Sequence, residues 1–167
     1  IALLSRDFLA REGGEARKDR RIEGDDVAHL GGKETVGVMT VIEDGHAAKG
    51  EYRKFLIRGG AKGNDLLALE ELLRRRFGHE EWTAPALLVV DGSHLQRRVA
   101  ERVLAEFGMT IPVVSVVKDA RHQPKDILGQ KGEREQFRHD ILLANAEAHR
   151  FAVSFHRKRR GKEFLPA

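Results

Sequence analysis

The 167-residue chain contains no cysteine, which removes disulfides, zinc–thiolate centres and thiol nucleophiles from the functions open to it. Aromatic residues are scarce, with one Trp and one Tyr. Even so, 41% of the chain is hydrophobic and falls in regular apolar runs, so the composition is not that of a disordered chain. No apolar run approaches a membrane span and no secretory hydrophobic region is present, which leads to the expectation of a soluble, cytoplasmic chain. Neither sign of charge dominates. Thirty Lys and Arg against 26 Asp and Glu leave +4, and that balance alone does not imply nucleic acid. Placement says more, because "HRKRRGK" (His156–Lys162) gathers positive charge near one end. The length suits one domain. A start at Ile1 and an end at "EFLPA" read as a domain cut from a longer protein.

Residues 1–20, with Gly13, Gly14 and many charges, read as a short helix and linker before a domain spanning 21–160, with 161–167 as a tail. Three strand candidates open the domain: "RIEGDDVAHL" from Arg21, "ETVGVMTVIEDG" from Glu34 and "AAKGEYRKFLIR" from Ala47. The "EDG" at Glu43–Gly45 is a hairpin signal, so the second and third runs should pair antiparallel. "DLLALEELLRRRFG" has helical spacing, with Asn64 or Asp65 as N-cap and Gly78 as stop. "APALLVVDG" and "IPVVSVVKD" are short, continuous apolar runs, the mark of strands buried on both faces. Between them "SHLQRRVAERVLAEFG" predicts a helix with Leu95, Val99, Val103, Leu104 and Phe107 inward. A charged loop at about Arg121–Gly132 leads to a long helix whose seam is Phe137, Ile141, Ala144, Ala148, Phe151 and Phe155. This order describes a mixed sheet of about five strands covered by helices. It is the layout of the RNase H-like fold, and other α/β sandwiches fit the same periodicity.

Two carboxylates stand where strand hydrophobics are expected. Alternation puts Ile22, Gly24, Asp26 and Ala28 on one face of the first strand, and Glu23, Asp25, Val27 and His29 on the other. Asp91 sits at the carboxyl end of a buried run. If those strands are neighbours, Asp26 and Asp91 can share a divalent cation, the arrangement that phosphoryl transfer needs. Solvated turns at Asp25–Asp26 and at Asp91–Gly92 are the plain alternatives. His149 flanks the apolar seam of the last helix, in a row with Leu142, Asn145, Ala152 and His156. It reads as a structural histidine, or as an imidazole that a helix crossing the sheet would carry to the carboxylates.

"RIEGDDVAHL", "GEYRKFLI", "LLVVDGSHLQ" and above all "EAHRFAVSFHRKRR" resemble the C-terminal endonuclease domain of the UvrC family, the incision subunit of bacterial nucleotide excision repair. The resemblance runs from about Arg20 to Arg160. It implies an RNase H-like fold and a metal-dependent (Mg²⁺ or Mn²⁺) endonuclease cutting DNA 5′ to a lesion. Asp26, Asp91 and His149 would be the catalytic and metal-binding set. A UvrB-like partner would bind through segments outside this chain.

Three departures from the family pattern mark the chain as divergent. Asp25 stands where the family usually has an aromatic, as in "IEGFDISH". Gly92–Gln96 replaces "GGKGQ", and Asn145–Arg150 replaces "RDEAHR". Basic residues that would hold the phosphate backbone are Arg53, Lys54, Lys118, Arg150, Arg157, Lys158, Arg159 and Arg160, each of which reads alone as a solvated charge. Two other functions fit the same residues: another RNase H-like nuclease, cutting branched DNA or RNA hybrids, and a binding module that has lost turnover.

Overall fold

Alternating residues from Arg21 form β1 (Arg21–His29), which lies inside the sheet with both aspartates in mid-strand, so the turn reading fails. The computed structural model describes residues 20–31, 34–59 and 64–164, with side chains to Phe155. The helix or linker expected before Arg20 lies outside the described residues.

β1 is followed by β2 (Thr35–Glu43), the two-residue β3 (His46–Ala47), a 3₁₀ turn, β4 (Arg53–Leu56), α1 (Asp65–Phe77) and β5 (Leu87–Asp91). Then come α2 (His94–Glu106), β6 (Val113–Lys118), β7 (Pro124–Leu128), α3 (Lys131–Gln136) and α4 (Arg138–Phe164). The strand order is β3-β2-β1-β5-β6-β7, with β4 also on β2. β1–β5 and β5–β6 are parallel and the remaining pairs antiparallel.

The five expected strands are present and two are added. The third run breaks into β3 and β4, because the chain turns through Lys49–Glu51. Both pieces pair antiparallel to β2, and Asp44 and Gly45 at φ 50° and 80° make the tight turn that "EDG" predicted. β7 arises within the segment expected to be a loop. Its Pro124, Lys125 and Asp126 are exposed, so this edge strand has no apolar pattern to announce it. The last helix divides at Phe137, and its backbone then runs without a break to Phe164.

The sheet is covered on both faces. On one, α1 and α2 bury Leu69, Leu72, Leu73, Phe77, Val99, Ala100, Val103 and Leu104 against Met39, Val41, Leu88 and Val90. Asn64 caps α1 by accepting from Leu67 N–H at 3.1 Å, and Gly78 ends it. Two residues expected inward do not pack there: Leu95 is 50% and Phe107 40% exposed. They lie in the first turn and at the C-cap of α2, where the helix overhangs the sheet. On the other face α4 crosses β1 and β2, burying Ile141, Ala144, Ala148 and Ala152 against Ile22, Val36, Val38, Ile42 and Val89.

Gly24 sets how deep α4 sits. A Cβ there would meet the Ala144 carbonyl oxygen at 2.5 Å, and Thr40 Oγ donates towards both carbonyls at that crossing, Gly24 O (3.1 Å) and Ala144 O (3.2 Å). The glycine and the small alanines let helix and strand approach until the next turns of α4 reach the ends of β1 and β5.

Candidate active site

The parallel register of β1 and β5 pairs Gly24 with Val89 and Asp25 with Val90, which makes Asp26 and Asp91 the next facing positions. Both share the sheet face covered by α4. Asp26 is buried, and one of its oxygens accepts from Val27 N–H at 2.8 Å. Burial, and then the charge of Asp91, raise its pKa from the ordinary carboxylate value; His149 and Lys118 act in the opposite sense. A buried carboxylate with a second one beside it calls for positive charge in the cleft.

Three groups supply it. His149 Nδ1 stands 3.7 Å from Asp26 Oδ2, and the neighbouring Asp26 carboxylate is the first cause raising the imidazole pKa. Lys118 Nζ lies 2.7 Å from Asp91 Oδ1. Asn145, buried one helical turn before His149, donates its amide to the same Asp91 oxygen at 3.1 Å. One face of α4 therefore touches both carboxylates through residues four apart, the spacing that aligns side chains on a helix.

All three residues predicted for the site thus come to one cleft. Asp26 and Asp91, a pair of hard oxygen donors on adjacent strands, fit a Mg²⁺-type ion, which needs one or two carboxylates beside water and phosphate. His149 pairs with Asp26 and does not close a three-ligand cage: among the described residues no three His, Cys, Asp or Glu side chains gather closely enough to hold an ion.

The cations predicted to meet phosphate divide. Lys118 belongs to the carboxylate cleft itself. Lys54 shares the α4 face, since it pairs with Val38 and Val38 pairs with Asp26, and its ammonium lies 4.7 Å from the centroid of the Phe155 ring. Arg53 points to the opposite face. It donates to Gly50 and Tyr52 carbonyls and stacks 5.1 Å over Trp82. Arg150 is bound twice by Glu147, which also accepts from Tyr52 Oη at 2.8 Å. Arg157–Arg160 lie in the α4 helix, and their side chains fall outside the described residues. Asn145 escaped sequence reasoning as a site residue. The only trace of it was its place in the same helical row as His149.

Asp25 is a different matter. It points to the α1–α2 face beside Met39 and Val90, is 1% exposed, and neither oxygen has a hydrogen-bond partner among the described residues. Burial, then the charge of Glu23, hold its carboxyl well above the usual range.

A mixed sheet with parallel central strands, carboxylates on two adjacent strands and a helix laid across them is the RNase H-like arrangement. The family model described as the UvrC RNase H endonuclease domain matches residues 14–153, and the chain belongs to that family. UvrABC system protein C of Caldanaerobacter subterraneus subsp. tengcongensis is 35% identical over 87% of this chain and 27% of its own length. The proteins of the same name from Caldicellulosiruptor saccharolyticus and Chlamydia trachomatis serovar D are 37% and 38% identical, over 85% and 87% of this chain and 25% and 26% of theirs. The chain spans about a quarter of the length of these relatives. Among solved structures, the catalytic domain of human endonuclease V aligns with a TM-score of 0.41 at 20% identity, covering 71% of this chain and 52% of that one.

Proposed function

We propose that this domain hydrolyses a DNA phosphodiester with a divalent cation, Mg²⁺ or Mn²⁺, held by Asp26 and Asp91, and that it makes the cut 5′ to a lesion in nucleotide excision repair. The observation that carries the reading is the facing pair Asp26–Asp91 on the α4 side of the sheet, with His149 3.7 Å from one member and Lys118 ion-paired to the other at 2.7 Å. When bound, such an ion polarises the phosphoryl oxygen and lowers the pKa of water. The chain's own groups do the rest. Asp26 orients the imidazole through Nδ1, which leaves Nε2 to carry a proton to or from the reacting oxygens. Asn145 fixes the direction of Asp91. Lys54 stands on the same face for a flanking phosphate, and the basic end of α4 offers a sequence-independent grip on the backbone.

Family membership supports the repair role, and a UvrB-like partner would be met through segments outside this chain. The test is an incision assay on a lesion-bearing duplex with and without Mn²⁺. The expected result is a metal-dependent 5′ cut only where the lesion is present. Equal cutting of undamaged branched DNA or RNA hybrids would favour a different RNase H-like nuclease. Binding without any cut would favour a module that has lost turnover.

A further inference from the structure

Lys118 closes β6 on the face that carries Asp26 and Asp91, because Val116 pairs with Asp91 and Lys118 lies two residues beyond it. Its side chain is 16% exposed, and its ammonium meets the Asp91 oxygen that Asn145 also holds. This differs from a mobile surface lysine whose pairing is worth little. The ammonium is a compact point charge seated on a carboxylate that a divalent cation would also use, in a cleft where few groups are free to screen the two. A second cation arriving at Asp91 would meet like charge at contact range, so the two cannot share that carboxylate without cost.

We infer that Lys118 is a tethered counter-cation for Asp91, which a divalent cation displaces when it binds. The inference rests on the metal-dependent reading of the site given above. Without the ion, Lys118 and Asn145 keep Asp91 turned into the cleft. With it, Asn145 retains its neutral hydrogen bond while the ammonium swings clear and becomes available to the substrate phosphate. Affinity for the ion is then set by the charge at residue 118 as well as by the carboxylates.

The probe is Mn²⁺ alone, titrated into the chain without DNA, with the free ion measured by electron paramagnetic resonance. Lys118→Gln and Lys118→Met should bind Mn²⁺ about tenfold more tightly than the native chain, the size of effect expected from removing one like charge a few ångströms away. Lys118→Arg, which keeps the charge, should not. Asp91→Asn should lose binding. Native Mn²⁺ binding that weakens or stays unchanged in the neutral variants overturns the inference and leaves the metal reading intact. If neither the native chain nor the neutral variants bind Mn²⁺, or if Asp91→Asn makes no difference, the metal reading fails and the inference falls with it. A readout on the native chain guards against variants that do not fold. The Lys118 side-chain NMR signals should move on adding Mg²⁺, and signals that stay fixed while Asp91 shifts would contradict displacement.

Discussion

Glu23 and Asp26 stand three residues apart on β1, on opposite faces of the sheet, and the protein treats the two buried carboxylates in opposite ways. At the start, Glu23 is fully enclosed and receives Arg21 at 3.2 Å and Arg76 at 2.6 Å, with Arg76 also bonded to the Thr83 carbonyl. Arg21 is in turn held by Glu43 and Glu51. Every charge there has a fixed partner, so the cluster locks α1 and the start of β1 in place and leaves nothing over for a ligand. On the α4 face Asp26 and Asp91 share a cleft with a half-exposed imidazole and one ammonium, contacts that a small cation or a phosphate can replace. Burial alone does not mark a reactive carboxylate. What separates the two sites is whether the carboxylate's partners are saturated and enclosed, or exchangeable and near solvent.

The comparison breaks most readily at its structural end. Arg76→Ala would leave Glu23 buried with Arg21 alone and should cost about 3–5 kcal/mol in urea unfolding, while a loss under 1 kcal/mol would make the network ornamental. Asp25, between the two and without a hydrogen-bond partner among the described residues, should behave in the opposite way. Asp25→Phe restores the residue type the family places there and should stabilise the fold at neutral pH by about 1–3 kcal/mol. Its pKa is raised in the folded state, so between the unfolded and folded values the native chain binds more protons. The stability it contributes therefore falls as pH rises through that window. The gain from Asp25→Phe should accordingly shrink towards about pH 4, near the unfolded carboxylate value, and a gain independent of pH would locate the effect in packing. The smallest effect is at His149. In Asp26→Asn its NMR-monitored pKa should fall, because the Asp26 carboxylate is what chiefly raises it. In the native chain the matching stability is present below the unfolded imidazole value and disappears as pH rises through the folded one.

The carboxylates were legible in the sequence because strands have a period of two. Alternation put Asp26 on the small-residue face and Asp91 at the end of a buried run, and the family resemblance chose the arrangement that joins them over the turns that periodicity also allowed. Arg53 and Lys54 show the same rule ignored: adjacent strand residues face opposite ways, so the two could not both have flanked one cleft. Asn145 and the contact of Lys118 with Asp91 were not legible. The first depends on how closely α4 approaches the sheet, which is set at the Gly24–Ala144 crossing, and the second on the register of β5 with β6, neither of which is written in a pattern within α4. β7 was hidden because an exposed, charged edge strand reads like a loop. Leu95 and Phe107 satisfied helical spacing, but the helix outruns the sheet it covers.

The central claim is that the acidic pair in "GDDVAH" divides its work, with Asp26 reacting and Asp25 merely buried. It is tested most directly by metal-dependent cleavage of one DNA substrate by Asp26→Asn and Asp25→Phe, side by side. The account predicts that Asp26→Asn loses about 100-fold or more in rate while DNA affinity stays close to native, and that Asp25→Phe keeps its activity. Cleavage retained in Asp26→Asn and lost in a folded Asp25→Phe would contradict it.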